Sequence, residues 1–139
     1  MIDNNLIHVN YIRRAWVSSE LSKDPNTKVG AVVVTSDYSQ ESTGRNGFPR
    51  GIDESAGRWD RPTKYEYVIH AEENAILNAR FDVRGCILYV THMPCHKCLA
   101  RIIQSGITDV YYNLEYKNLT HADIHADLAR YVRINRINI

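Results

Sequence analysis

The sequence predicts an α/β domain in which helices are layered on a sheet. Two observations carry this. Short β-branched runs, Val29–Thr35 and Cys86–Val90, alternate with segments of helical period, and after residue 85 strand-like and helix-like runs follow one another to a final extended segment. The 139 residues, 44% apolar and 24% charged, suit one folded domain spanning residues 1–139 and exclude disorder as the main state.

Leu6, Val9, Ile12 and Trp16 recur at helical spacing with Arg13, Arg14 and Glu20 on the other side, so the first twenty residues read as an amphipathic helix. It stops at Asp24 and Pro25. Val29–Thr35 suits a buried strand, and Tyr38–Asn46 a second one after a tight turn, forming a hairpin. Gly47–Glu66 has three glycines, two prolines, many charges and no period, and reads as a loop. A loop of that length in a small domain is functional or mobile. A helix from about His70 to Arg80, a strand Cys86–Val90 and a helix Cys95–Gln104 closed by Gly106 come next. A strand Val110–Tyr112, a helix around Ala122–Tyr131 and an extended Val132–Ile139 complete the chain.

Seventeen Lys and Arg against sixteen Asp and Glu leave a formal +1, without the basic field that sequence-independent nucleic-acid binding relies on. The longest apolar stretches are strand-sized, far short of the roughly 20 residues of a membrane span. Met1–Asn10 carries Asp3 and four polar residues and has no apolar export core. The expectation is a cytoplasmic protein (host cytoplasm for a viral chain) that binds neither nucleic acid nor membrane.

Three cysteines argue against a disulfide framework, and two of them, Cys95 and Cys98, form a CxxC pair. On a helix beginning at Cys95, residues 95, 98, 99, 102 and 103 share one face, so both thiols lie on the core side of the first turn. The positive end of a helix favours thiolate, the form a metal needs, and zinc suits the spacing. His70, opening another helix, offers a nitrogen ligand. One imidazole and two thiolates formally cancel the charge of zinc, so a nearby base must take a proton from water, and Glu72 is placed for that.

CxxC alone is as well read as a redox pair or half of a structural zinc site as it is as part of a catalytic one. Joined to His70, Glu72 and Pro94 it becomes the HxE and PCxxC signature of zinc nucleobase deaminases. Cys86 could complete a closed three-cysteine site, although a free buried cysteine at a strand start is common. His121 and His125 read as surface residues on a helix whose core stripe is Ile124, Leu128 and Tyr131. His92 either lines the pocket or packs, and His8 has no case. Trp59 with Arg58 and Arg61 reads as a solvated loop in preference to a phosphate site.

The blocks SKDPNTKVG (22–30), GRNGFPRG (44–51), HAEENAILNA (70–79) and MPCHKC (93–98), extended by Tyr112–Tyr116, resemble the deoxycytidylate (dCMP) deaminases of the zinc-dependent cytidine/deoxycytidylate deaminase family. The resemblance implies a three-layer α/β/α fold with a mixed five-stranded sheet, and hydrolysis of dCMP to dUMP and ammonia on the way to dTMP. It implies zinc on His70, Cys95 and Cys98 with water in the fourth position. Glu72 would take a proton from water and give one to ring N3, with attack at C4 and loss of ammonia.

It further implies that Asn26 binds the sugar, the Ala71 backbone the pyrimidine oxygen and Tyr116 the sugar or phosphate; Lys23 is added as a phosphate ligand on charge and position. Family members are often homohexamers raised by dCTP and lowered by dTTP, with Mg2+ accompanying the effector, at a site including the GxNGxP segment. Here that segment holds Arg45, Asn46 and Gly47. Arg45 stands where Tyr is common, and a guanidinium adds a phosphate contact or displaces a stacking partner; Lys28 stands where Gln is usual. Some relatives hold a second zinc through an early cysteine and loop histidines. No cysteine precedes Cys86 and the loop has no histidine, so one zinc per chain is expected.

Two other readings compete. One is a zinc deaminase acting on free cytidine, guanine or adenosine in tRNA. The other is a silent nucleotide-sensing module, against which Glu72 speaks, since a purely structural zinc has no use for that carboxylate.

Overall fold

A computed structural model of the chain describes residues 3–55, 57–115 and 119–139. Helix α1 (Asn4–Ser19) starts at Asp3, whose carboxylate accepts the Asn5 N–H at 2.9 Å. It buries Tyr11, Ile12, Ala15 and Ser19. Leu6, expected in the buried stripe, is 56% exposed. Steps of three residues drift by about 60° each, which carries Leu6 roughly 120° round from Ile12.

Strands β1 (Gly30–Val34) and β2 (Glu41–Arg45) form the expected hairpin, paired from Gly30 with Arg45 to Val34 with Glu41. The second strand is shorter than expected because Tyr38 lies in the turn, with φ of 63° and its N–H bonded to Thr35 O at 2.8 Å. Strands β3 (Ile87–His92), β4 (Asp109–Leu114) and β5 (Arg133–Arg136) complete a sheet of order β2-β1-β3-β4-β5. The β1 pairings are antiparallel, while β3–β4 and β4–β5 are parallel. The mixed five-stranded sheet is therefore as expected, with β5 confined to four residues of the extended tail.

Period-two alternation divides the sheet between two cores. Val32, Val34 and Tyr89 face Tyr11, Ile12 and Ala15 of α1. Ala31, Val33, Leu88, Val90 and Val110 face the other way, onto Ala71 and Ala75 of α3 (Ala71–Asn78) and Ile102 of α4 (His96–Ser105). These are the three layers. Gly106 closes α4 in the left-handed conformation, φ 88°, as the sequence suggests.

Gly44 lets α3 approach β2: a Cβ there would lie 2.3 Å from Ala75 N and 2.4 Å from Ala71 O. Gly44→Ala is expected to lower stability by about 1–3 kcal/mol, read as an earlier urea midpoint at unchanged slope.

Two expectations are corrected. The segment 47–66 runs into a short helix, α2 (Lys64–Tyr67), which buries Lys64. The helical stretch 122–131 is α5 (Ala122–Leu128) followed by a 3-10 turn, Ala129–Tyr131; its burial differs from the one read from sequence at Ile124, His125 and Tyr131, while His121 is exposed as read. His125 is buried, whereas Ile124 and Tyr131 are 46% and 67% exposed. The His125 Nε2–H donates to Pro94 O at 2.9 Å, so this two-turn helix docks through a hydrogen bond where an apolar stripe was expected.

β1 begins where β3 ends: Ala31 pairs with Val90, and the Gly30 N–H donates to Thr91 Oγ1 at 3.2 Å. Leu114 pairs with His92 at that same end. The loop before β1, the residues after β2 and the turn into α4 therefore gather at one edge of the sheet, where the parallel strands β3 and β4 finish. The 35–40 turn lies at the opposite edge.

Candidate metal centre and active site

His70 is the N-cap residue of α3 and Cys95 that of α4, both in extended backbone, so each side chain projects from a helix start. Two local bonds hold these starts: Asn74 N–H to His70 O at 3.0 Å and Leu99 N–H to Cys95 O at 2.9 Å. The His70 N–H also donates to Glu73 Oε1 at 3.4 Å, and Glu73 Oε2 meets Arg101 Nε of α4 at 3.0 Å. One carboxylate thus caps α3 and ties it to α4, a role the sequence reading missed.

The two starts converge. His70 Nδ1 lies 3.7 Å from Cys95 Sγ and 3.1 Å from Cys98 Sγ, and the three ligand atoms fall within 4.8 Å of one another. A tetrahedral zinc with Zn–S of about 2.3 Å and Zn–N of about 2.1 Å separates N from S by about 3.6 Å, so the donor set fits such an ion. The His70 ring is raised above its ordinary value, first by its hydrogen bond with Cys95, against the effect of burial. Cys95 is held down to about 3, first by the hydrogen bond from Cys98 despite burial, while Cys98 is pushed up by giving that bond and by burial. Metal binding needs both sulfurs as thiolates, so a divalent cation held here would release the remaining thiol proton.

Glu72, on the first turn of α3, is 4% exposed. Burial pushes its carboxyl up to about 7, against the opposing pull of His70. A carboxyl poised between its two protonation states near neutrality is suited to accept and return a proton. Ala71, fully buried, stands between this group and the ligand His70.

Cys86 takes no part. It is 2% exposed in the core beneath the sheet, its thiol donating to Asp82 O at 3.5 Å, and burial raises it above the ordinary thiol value. Cys86→Ser is expected to leave the zinc content per chain unchanged, measured by elemental analysis, with stability lower by about 1–3 kcal/mol.

The other singled-out residues divide. Asn26, exposed, lies in the loop before β1 at the same sheet edge, its N–H donating to Asp24 Oδ1 at 2.8 Å. Tyr116 lies outside the described residues. Lys23 lines a cleft of about 910 Å³ together with Arg45, Asn46 and Gly47, and pairs with Glu54 at 3.3 Å. The Asn46 side chain is turned inward: Oδ1 accepts the Val29 N–H at 2.9 Å, and Nδ2 donates to Thr27 O at 2.9 Å. Gly47 exchanges backbone bonds with Ile69, the neighbour of His70, at 3.1 and 2.7 Å.

Three histidines brace the Cys95 turn. His125 holds Pro94 O, and His96 stacks on His121 with ring centroids 4.5 Å apart. His92 packs, its Nδ1 2.7 Å from Thr91 Oγ1 and its ring 5.5 Å from Trp16. His8 stacks on Tyr111 and meets the Tyr89 hydroxyl at 2.8 Å, a packing role that the sequence did not reveal. Trp59 is half-buried in its loop and stacks on Phe48 with ring centroids 4.1 Å apart.

Residues 7–114 match the family described as the cytidine and deoxycytidylate deaminase zinc-binding region. Over 110 residues, 76% of this chain, the sequence is 46% identical to a probable deoxycytidylate deaminase of Caenorhabditis elegans. Over 105 residues, 70% of this chain, it is 44% identical to deoxycytidylate deaminase of Homo sapiens. The matches span 56% and 59% of those relatives' own lengths. Among solved structures, the dCMP deaminase of cyanophage S-TIM5, in complex with dCMP and dUMP, superposes with a TM-score of 0.81 at 28% identity, covering 98% of this chain and 99% of that one.

Proposed function

Because the chain belongs to the cytidine and deoxycytidylate deaminase family, we propose that it hydrolyses dCMP to dUMP and ammonia, with residues 1–139 as one deaminase domain. The observation that carries this reading is the convergence of His70, Cys95 and Cys98 beside a buried Glu72. His70, Cys95 and Cys98 would hold zinc, one per chain, which when bound supplies an activated water. Glu72 takes the proton released there and delivers it to ring N3, and the same carboxylate then serves the departing amine. Its burial excludes bulk water and keeps the proton inside the site. The Ala71 backbone orients the pyrimidine oxygen, and Asn26 and Tyr116 hold the sugar and phosphate end.

The cleft beside this centre suits an effector. Lys23, Arg45 and Arg50 line it with Asp53 and Glu54, cations for a triphosphate and carboxylates for an accompanying Mg2+. We assign it to dCTP and dTTP in a homo-oligomer, a hexamer by family habit. Asn46 and Gly47 then form its wall through their backbone, since the Asn46 amide is spent inside the fold.

Among the described residues no helix is long and apolar enough to cross a membrane. A cytoplasmic location accords with this and with the composition, in the host cytoplasm if the chain is viral.

The test is ammonia release from dCMP, deoxycytidine, CMP, guanine and tRNA. Turnover confined to dCMP supports the reading. Turnover of another member of the panel moves the chain to a different zinc deaminase, and bound zinc with no turnover makes it a sensing module.

A further inference from the structure

Lys64 Nζ lies 3.2 and 3.1 Å from the two Asp24 carboxylate oxygens, with Lys64 4% and Asp24 3% exposed. In each of the other six ion pairs among the described residues one partner is at least 45% exposed. Withdrawing two charges from water costs about as much as their attraction returns, so such a pair adds little net stability; its best-attested use is to fix geometry. The geometry here is specific. Besides Lys64, the Asp24 carboxylate accepts the Asn26 N–H at 2.8 Å, the Thr27 N–H at 3.2 Å and Asn46 Nδ2 at 3.3 Å.

The lysine end is anchored as firmly. Lys64 opens α2, its carbonyl accepts the Val68 N–H at 2.9 Å, and the next residue, Ile69, is bridged to Gly47 just before the ligand His70. The pair therefore joins the backbone that presents Asn26 to the backbone that presents His70, across forty residues of sequence.

We infer that Lys64 is a positioning residue: through Asp24 it fixes the Asn26–Thr27 backbone relative to His70, and so sets how tightly the nucleotide is held. This rests on the deaminase reading, in which Asn26 meets the sugar. Lys64 touches neither metal ligand nor proton carrier in this arrangement, so the effect falls on binding more than on chemistry.

The test compares wild type, Lys64→Met and the double variant Asp24→Asn/Lys64→Met, in which an uncharged side chain still accepts the two backbone N–H groups. Lys64→Met is expected to raise KM for dCMP about tenfold or more, with kcat within about threefold and zinc still at one per chain. The double variant keeps an acceptor for the two N–H groups but lacks the tie to residue 64, so it is expected to retain the raised KM, and a return to the wild-type KM overturns the inference. An unchanged KM in folded, zinc-loaded Lys64→Met overturns the inference, and so does a loss confined to kcat or proportional to lost zinc. Amide exchange on the wild type decides the matter even if both variants misfold. The Asn26 and Thr27 amides are expected to exchange as slowly as those of β1, and exchange at free-loop rates overturns the inference. Wild type that turns over no nucleotide refutes the deaminase reading and leaves this measurement to decide the positioning role.

Discussion

Glu72→Ala is expected to lower kcat for dCMP deamination by about 10²–10⁴, the range for removing a positioned proton carrier, while the fold and the metal content stay intact. The separation follows from the geometry. Glu72 is buried within the first turn of α3, yet its carboxylate is not one of the three converging ligand atoms. Its removal takes away a group that burial disfavours when charged, which offsets the loss of its local backbone contact at the start of α3. Glu72→Gln keeps the shape and is expected to be as inactive, because an amide cannot cycle a proton near neutrality. Kinetics, zinc analysis and far-ultraviolet circular dichroism on the same preparations check the result. Activity within tenfold of wild type would move proton transfer to another group.

Stripping the metal is expected to abolish turnover and to lower the thermal midpoint. Two helix starts meet at His70, Cys95 and Cys98, so an ion held by these residues would cross-link α3 to α4, and its loss would leave the Glu73–Arg101 pair and the apolar contacts of the core to hold them together. A ligand bound to the native state alone, at a thousandfold above its dissociation constant, stabilises by about 4 kcal/mol. Chelation followed by calorimetry measures this, and one equivalent of zinc is expected to restore both activity and midpoint. Cys98→Ala is expected to reproduce the stripped protein without chelator. Full activity in metal-free protein would refute the proposed chemistry.

The parts of this molecule legible in the sequence are those whose physics is local. His70, Glu72, Cys95 and Cys98 fall within two short motifs, and their convergence needs only that both segments start helices at one sheet edge. The β1–β2 hairpin and the Gly106 stop are equally local. What escaped is long-range. Lys64 sits in a charged stretch that reads as solvated, and its partner Asp24 is forty residues away. His125 lies in a helix of two turns, too short for its periodicity to tell inside from outside, and its fate is decided by the carbonyl of Pro94. Asn46, read as an effector contact, is an internal bracket because its amide matches Thr27 and Val29, a match no motif encodes.

The turns that carry the candidate site occupy one edge of the sheet, and the 35–40 turn occupies the other, held by its own bonds, which the Thr35 and Ser39 hydroxyls donate to the Asp37 carboxylate. The scaffold therefore has a working side and an idle side. A dye, tether or peptide tag grafted near Ser39 would ride on the idle side, giving an immobilised or luminescent catalyst without touching the machinery.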